Sequence, residues 1–455
     1  MRSTWSSSGR RSHARRCPLL SLPRRSAREL PELDGQVVRV AGHLEDYRAL
    51  GGVAFAVVRD RSGATQITLK KGVTEPGLFD LLAELPRESV IAVEGTVQKS
   101  PKARRGVELV PTTIEVVSRA EVPLPLGVVD RVGVELDTRF NHRVLDLRKP
   151  AVRELFELRA ALLEGFRRTF TDRGYLEVET PKLLRQGAEG GATLFSVDYF
   201  GTKAFLAQSP QLYKQMLIGA GFERVFEIGP AFRAEPSDTV RHITEFTSLD
   251  AEVAYIDGPE DVRRELEAVI VGALAHAKER THREGSSISA SLPDAKAPFA
   301  RFTFAECQRW LGRSGALEDL GTEDERRIGE IAEKDHGASF YFITDFPTAV
   351  KARTFYARRQ EDHPELTGYF DLDYRGIELA SGGPREHRIE PLLKNLAAAG
   401  LDPADFAGYL EAFRFGIPPH GGWGFGVERL LMTLTGLPNI REARLFPRDR
   451  YRLDP

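Results

Sequence analysis

The sequence predicts an α+β chain: a small β-barrel ahead of a larger domain whose antiparallel strands are flanked by helices. Three observations carry that expectation. Four β-branched stretches, GQVVRVAGHL, GVAFAVVRDRSGATQITLKKG, ESVIAVEGTVQKS and GVELVPTTIEVVS, lie between residues 30 and 121, with glycine or polar breaks. A helical period then runs through AVRELFELRAALLEGFRRTFTDRG, with apolar residues three to four apart and Gly174 as a stop signal. Beyond it, strands such as RVFEIGPAF, ASFYFITDF, GYFDLDYRGIELA and HGGWGFGVERLLMTL mix with helices outside any regular βαβ rhythm, which argues against a doubly wound nucleotide fold.

The first 28 residues hold eight arginines and no acid before Glu29. An organelle-targeting peptide, a disordered basic tail, or a start placed too far upstream all fit; the expectation is a tail without fixed structure. Residues 29–121 give five strands, with one helix-like insert, EPGLFDLLAELP. That pattern suits a Greek-key barrel of the OB kind, a common binder of single-stranded nucleic acid, with an SH3-like or sandwich module as the alternative. Residues 122–150 read as a hinge with little core of its own, because prolines open the segment and mixed charge fills it. Residues 151–455 form the larger domain.

Composition narrows the classes. A chain of 455 residues is long enough for two or three domains, and 41% hydrophobic and 29% charged residues are ordinary for a soluble globular protein. No apolar run approaches bilayer length, so no membrane role is expected. The formal charge of -2 provides no global basic field, so any nucleic-acid site must be a local patch. Cys17 and Cys307 are too few for a metal cage or a disulfide framework, and a reducing compartment fits.

Two stretches carry chemistry. GWGFG at 422–426 is not G-x-G-x-x-G, and there is no Walker loop. Yet Gly421, Gly422, Gly424 and Gly426 run straight into the helical pattern VERLLMTL. That helix presents Arg429 one turn in, where a guanidinium can lie flat on adenine; a tight structural turn with Arg429 in a salt bridge is the other reading. In FRAEPSDTVRHITEF, residues 232–246, Arg233 ends a strand and Arg241 and His242 begin the next, so the three converge at a hairpin. Arginine forks suit phosphate oxygens, and Glu235 is placed to take an exocyclic amine or to fix an arginine. A solvated hairpin tip of mixed charge is the alternative.

Together these stretches resemble the class II aminoacyl-tRNA synthetases. GYLEVETP at 174–181 resembles their first motif, which lies at the family's dimer interface. RVFEIGPAFRAE with RHITEFTSLDAE resembles the second motif, and GWGFGVERLLM the third. FLAQSPQLYKQ at 205–215, DTRFNHRVLDLR, PPHGGWGFGVERLLM and LFPRDRYRL resemble the aspartate-specific members in their short archaeal-type form. The resemblance covers roughly residues 27–455 and lacks the large extra domain of the bacterial aspartyl enzymes. It implies a class II catalytic domain at 151–455, a homodimer and a cytoplasmic enzyme. That enzyme would activate L-aspartate with ATP and Mg²⁺, then pass it to the aspartate tRNA.

The resemblance also implies roles for residues. Lys214 and Arg385 would clamp the side-chain carboxylate, and Gln211 would hydrogen-bond the substrate. Glu189, on the glycine-rich loop GAEGGATLF, and Asp250 would take the ammonium, with that loop as a closing lid. A charge pair near 4 Å is worth about 4 kcal/mol at an effective dielectric of 20, and an amide in place of the carboxylate would cost about 2–5 kcal/mol. The asparaginyl relatives, the nearest rival reading, generally lack this lysine. Arg233 would hold the α-phosphate and the substrate carboxylate, Arg241 and His242 the distal phosphates, and Arg429 the adenine. Glu235, Ile243, Glu378 and Gly426 complete the ATP-binding set.

Glu378, Ser381 and Asp371 would hold Mg²⁺, whose preference is for hard oxygens, and Ser381 would also contact the aspartate. Asp371 and Glu378 are seven residues apart in one strand pattern, so a bend or bulge is implied. The substrate carboxylate is already ionised, so the first step needs alignment and charge neutralisation rather than a base. For the transfer step the family implies a phosphate oxygen as base. A binding protein that had lost catalysis should lack one of Arg233, Glu378 or Arg429, and all three are present.

In the barrel, Phe55 matches an aromatic that stacks on an anticodon base, and Gln66 a polar contact. Enzymes strict for the aspartate tRNA often carry a tryptophan in the first barrel loop and a lysine in a later one. The matching positions here are Glu45 and Arg104. That departure leaves open whether the asparagine tRNA is also charged, in which case a partner amidotransferase must repair the product.

Overall fold

The computed structural model describes residues 22–129, 133–187, 194–234, 239–313 and 318–454. The chain divides into two compact units at Gly133 and Val134. In the first, β1 (Val37–Leu50), β2 (Val53–Asp60), β3 (Gly63–Lys70), β4 (Val90–Lys99) and β5 (Val107–Ser118) close a barrel in the order β1-β2-β3-β5-β4. Helix α1 (Pro76–Glu84) lies between β3 and β4. Alternate residues point inward, as a period of two requires: Ala54, Ala56 and Val58 of β2 meet Ile67 and Leu69 of β3 and Leu109 of β5. Leu78 and Leu82, four apart on α1, join the same core. The OB reading of these strands holds.

Residues 1–21, with the alternatives for the basic tail and with Cys17, lie outside the described residues. The last part of the segment expected to lack fixed structure is ordered. The Arg25 amide donates to Arg39 O at 2.8 Å, the Ala27 amide to Asp60 Oδ2 at 2.8 Å, and Ala27 is buried. Strand β1 and Asp60 supply acceptors that composition does not reveal.

The second unit starts inside the segment expected as a hinge. Helices α2 (Leu136–Asn141) and α3 (Arg143–Asp146) bury Phe140, Arg143 and Asp146. Arg143 pairs with Asp146 and donates to the carbonyls of Leu445 and Arg444 at 2.8 and 2.7 Å. Arg139 bridges Asp146 and Glu442 at 2.9 and 2.6 Å. The mixed charge that suggested a linker is a buried network, satisfied by the C-terminal segment.

The remaining elements are α4 (Pro150–Asp172), β6 (Leu176–Glu177), β7 (Leu183–Leu184), β8 (Ser196–Tyr199), β9 (Thr202–Leu206), α5 (Gln211–Gly219), β10 (Arg224–Phe232), β11 (Glu245–Ala254) and α6 (Pro259–Arg283). They continue with β12 (Ala300–Thr303), α7 (Phe304–Trp310), α8 (Thr322–His336), β13 (Phe340–Thr344), β14 (Phe370–Tyr374), β15 (Glu378–Pro384), α9 (Ile389–Ala398), α10 (Ala407–Arg414), β16 (His420–Gly426) and α11 (Val427–Thr435). An eight-stranded sheet runs β12-β13-β14-β15-β16-β11-β10-β6, and β7-β9-β8 form a small second sheet. The six central strands are antiparallel as expected, but β6 and β12 add parallel pairs at the two edges.

Leu158, Leu162, Phe166 and Phe170 of α4 pack with Leu266, Ile270 and Ala273 of α6 in the core that also holds Phe226, Leu249, Trp423 and Phe425 of the sheet. Burying each such side chain contributes about 1.5–3 kcal/mol. Cys307 sits in a separate cluster with Phe304, Tyr341 and Phe346, fully buried and free of any disulfide.

The stretch GYFDLDYRGIELA is a hairpin rather than one bent strand. Arg375 and Gly376 turn it with φ of 50° and 73°, and Asp371 then pairs across the ladder with Ser381, and Asp373 with Glu378. The glycine run GGWGFG is strand β16, between β15 and β11, not a loop. A side chain on Gly422 would collide with the Ala251 carbonyl and the Glu252 carboxylate, so glycine is what lets β11 lie so close.

Candidate active site

Strands β11, β15 and β16, the segment after β10 and residues 349–354 enclose a cavity of about 750 Å³. Arg233, Arg241, His242 and Ile243 line one end of it, and Gln211, Asp250 and Arg385 are also in its wall. Arg233 follows β10, and its amide donates to Thr244 O at 2.9 Å, extending the ladder by one bond. Its guanidinium lies 5.3 Å from the Phe246 ring, and its buried Nε–H has no acceptor among the described residues. Buried donors are rarely left unpaired, so this one suits an incoming anion.

Strand β11 starts at Glu245, so Arg241 and His242 lie in the turn before it rather than at its first residues. One local and one distant bond hold that turn: the His242 amide donates to Thr239 O at 3.4 Å, and Arg241 reaches Glu325 Oε2 of α8 at 3.2 Å. Glu235 and Glu189 lie outside the described residues.

The opposing corner is acidic. Burial pushes Glu378 up, but Arg429, Lys351 and Arg233 together hold its carboxyl below the usual range. Arg429 Nη1 donates to the Glu378 carbonyl at 2.8 Å and stands 3.6 Å from its Oε2, the salt bridge that the alternative reading expected, and the side chain also lines the cavity. Gly426 caps α11 beside the Arg429 stem. Burial raises Asp371, with Lys351 opposing it.

Lys351 donates to Asp371 Oδ2 at 2.9 Å, while Asp371 Oδ1 is buried without a well-formed hydrogen bond among the described residues, the Ser381 hydroxyl being the neighbour that helps hold this carboxyl down. Burial and Glu378 push Glu325 up to about 7, and burial with the surrounding acids lifts Asp373 well above the carboxylate range. Among the described residues no three His, Cys, Asp or Glu side chains form a metal cage. Two carboxylates, one with an orphaned buried oxygen, and the Ser381 hydroxyl nonetheless fit Mg²⁺, which takes few protein ligands and completes its shell with phosphates and water.

At the other end, α5 places Gln211 and Lys214 three apart on its sheet-facing side. Lys214 does not line the cavity. It is 2% exposed, and its ammonium donates to Asp250 Oδ1 at 3.0 Å and Trp423 O at 2.8 Å, with Glu252 Oε2 at 3.4 Å. Asp250 also accepts from Ser248 at 2.5 Å, so both its oxygens are engaged. Arg385 donates to Glu252 at 2.8 and 3.3 Å, to Gln211 Oε1 at 3.3 Å and to the Tyr369 hydroxyl. Two cations and two carboxylates thus form one buried cluster, with Glu252 at its centre.

Sequence reasoning missed Glu252, Lys351, Glu325 and Phe246. Glu252 left a trace: Ser248, Asp250 and Glu252 are polar at every second position of a buried strand.

Residues 135–450 match the family of class II tRNA synthetases (D, K and N), and residues 35–117 match the OB-fold nucleic acid binding domain. The chain belongs to that synthetase family. It is 47% identical over 93% of its length to the aspartate–tRNA(Asp/Asn) ligase of Methanopyrus kandleri, covering 97% of that protein. It is 44% identical, with the same two shares, to the aspartate–tRNA(Asp) ligase of Thermococcus kodakarensis. The asparaginyl-tRNA synthetase of Pyrococcus horikoshii, solved with asparaginyl-adenylate, superposes with a TM-score of 0.88 at 31% identity, over 95% of this chain and 99% of that one.

In the synthetase's barrel, Phe55 on β2 and Thr68 on β3 are cross-strand partners, and Gln66 lies on the same strand as Thr68. Gln66 is not free: it donates to Thr68 Oγ1 and Glu108 Oε2, each at 3.2 Å, and Lys70 pairs with Glu108 at 3.0 Å. Glu108, which sequence reasoning missed, is therefore the polar centre of that face. Arg104 is exposed in the connection from β4 to β5. Glu45 occupies a bulge within β1, not a loop, and pairs with buried Arg59 at 3.3 Å, which Glu88 also holds.

Proposed function

We propose that the chain is an aspartate–tRNA ligase, forming aspartyl-adenylate from L-aspartate and ATP and transferring the aspartyl group to the 3′ end of the aspartate tRNA. The observation that carries this reading is the buried Arg385–Glu252–Lys214 cluster beside Gln211 at the amino-acid end of the cavity. An amide side chain would give the Arg385 guanidinium, which Glu252 holds in place, no second charge to bind. Arg385 and Gln211 contact the substrate; Lys214 acts through Asp250 and Glu252, which it holds in place.

Arg233 aligns the α-carboxylate with the α-phosphate, its spare N–H meeting charge that grows in the transition state. Arg241 and His242 take the distal phosphates, and Arg429 and Phe246 flank the adenine. Asp371, Glu378 and Ser381 would hold Mg²⁺, which supplies charge neutralisation to the phosphates when bound. The family resemblance would assign Glu189 to the ammonium, and Glu235 to the adenine amine or to an arginine.

The barrel at 29–121 reads the anticodon through Phe55, Gln66 and Arg104. The enzyme works as a cytoplasmic homodimer. Glu45 is spent on Arg59, so that position does not enforce strictness, and the asparagine tRNA is the second acceptor; an amidotransferase then completes that product. The test is ATP–pyrophosphate exchange with aspartate and with asparagine, followed by charging of both tRNA transcripts with labelled aspartate. Exchange driven by asparagine would overturn the amino-acid assignment. Charging of the aspartate tRNA alone would overturn the dual acceptor.

A further inference from the structure

Lys351 lies between β13 and β14, in the segment that walls one side of the cavity. Its ammonium is 2.9 Å from Asp371 Oδ2 and 4.1 Å from the centre of the Phe346 ring. Its side chain is 14% exposed and that of Asp371 11%. Carboxylates and cations alternate in this corner: Arg429 stands beside Glu378, Arg241 on Glu325 and Lys351 on Asp371, with Asp319 also in the cavity wall and within electrostatic reach of Lys351. The three cations differ in how they are held. Arg429 also donates to a carbonyl, and Arg241 reaches the Gly376 carbonyl at 3.5 Å, whereas the bond recorded for Lys351 is the one to Asp371. Lysine is a compact charge on a flexible stem, so its ammonium relocates at low cost.

A divalent cation at Asp371 would face that ammonium at close range, and like charges at such a distance repel strongly in a partly dry site. The freed ammonium then has Asp319 and Glu378 of the same wall within reach, and the polyphosphate of a nucleotide held by Arg233 and Arg241 would offer it a larger negative charge than either. We propose that Lys351 is the resident counter-ion of Asp371, displaced when a divalent cation takes that carboxylate, and that the freed ammonium becomes a ligand of the distal phosphates. The proposal rests on the aspartate–tRNA ligase reading for the nucleotide, though not for the competition at Asp371.

The test compares full-length wild type with Lys351→Met and Lys351→Arg, each checked for folding by circular dichroism and melting. Mn²⁺ binding is read from the free-ion electron paramagnetic resonance signal without nucleotide. The expected result is about tenfold tighter Mn²⁺ in Lys351→Met, wild-type affinity in Lys351→Arg, and loss of the tightened site in Lys351→Met combined with Asp371→Asn. In pyrophosphate exchange, Lys351→Met should raise the KM for ATP several-fold. Unchanged or weaker Mn²⁺ binding in folded Lys351→Met, or an unchanged KM for ATP, overturns the proposal. Lys351→Gln replaces the methionine variant if the latter does not fold. Wild-type exchange in the same assay tests the enzyme reading separately.

Discussion

Arg233 keeps a buried N–H without a partner among the described residues, while its guanidinium lies against the Phe246 ring. Arg233→Lys retains charge and loses the fork. It should lower kcat/KM for pyrophosphate exchange by about 10²–10³-fold, the scale of one lost transition-state donor, with the melting temperature little changed. Glu252 is the opposite case, a residue whose loss is felt first in stability. Glu252→Gln leaves Lys214 and Arg385 with one carboxylate fewer, and urea unfolding should show a loss of about 3 kcal/mol, with a raised KM for aspartate. The two residues also differ in legibility. Arg233 stands in a stretch dense with arginine, histidine and acid, which declares itself. Glu252 and Lys351 acquire meaning from distant partners, Lys214 of α5 and, 133 residues away just past the end of β15, Arg385 for the first, and Asp371, 20 residues away on β14, for the second, separations that no local pattern encodes.

At the scale of elements, the β14–β15 hairpin sets the acidic corner, because its turn brings Asp371 opposite Ser381 and Asp373 opposite Glu378. Gly376 makes the turn at φ 73°, and a Cβ there would lie 2.7 Å from the Glu325 carbonyl of α8. Gly376→Ala should destabilise by about 1–3 kcal/mol in urea unfolding, and should raise the KM for ATP by shifting the Glu325–Arg241 contact. The stretch reads as one strand because Arg-Gly is not among the strong hairpin dipeptides and the apolar alternation continues through it. Elsewhere elements were more legible. The helix of α4 and the five barrel strands follow from period alone, whereas the parallel edges of the large sheet depend on which distant strand arrives there.

Across the whole molecule, two chemically different units were visible in the order β-rich then mixed, and the synthetase motifs fell in the second. The helices of the supposed hinge were not, because the buried network of Arg139, Arg143 and Asp146 is completed by residues some 300 positions later. The larger unit also has an acid limit. Burial pushes His420 down to about 4 from an ordinary 6.5, with Pro418 O on Nδ1 and Gln215 on Nε2. Between those values the unfolded chain holds the extra proton, so stability is complete above 6.5 and declines as the pH falls towards 4. The loss from this one group is on the order of 3 kcal/mol. Melting temperatures from pH 7 to 4 should fall less steeply for His420→Gln than for wild type.

Cys307, sealed among Phe304, Tyr341 and Phe346 with burial pushing its thiol up, gives the larger unit a built-in clock. In a Cys17→Ser background a disulfide reagent can meet the remaining sulfur only when that aromatic cluster opens. The rate of labelling then counts openings of the unit, and slowing of that rate by aspartate and ATP would time how firmly the occupied cavity holds the protein shut.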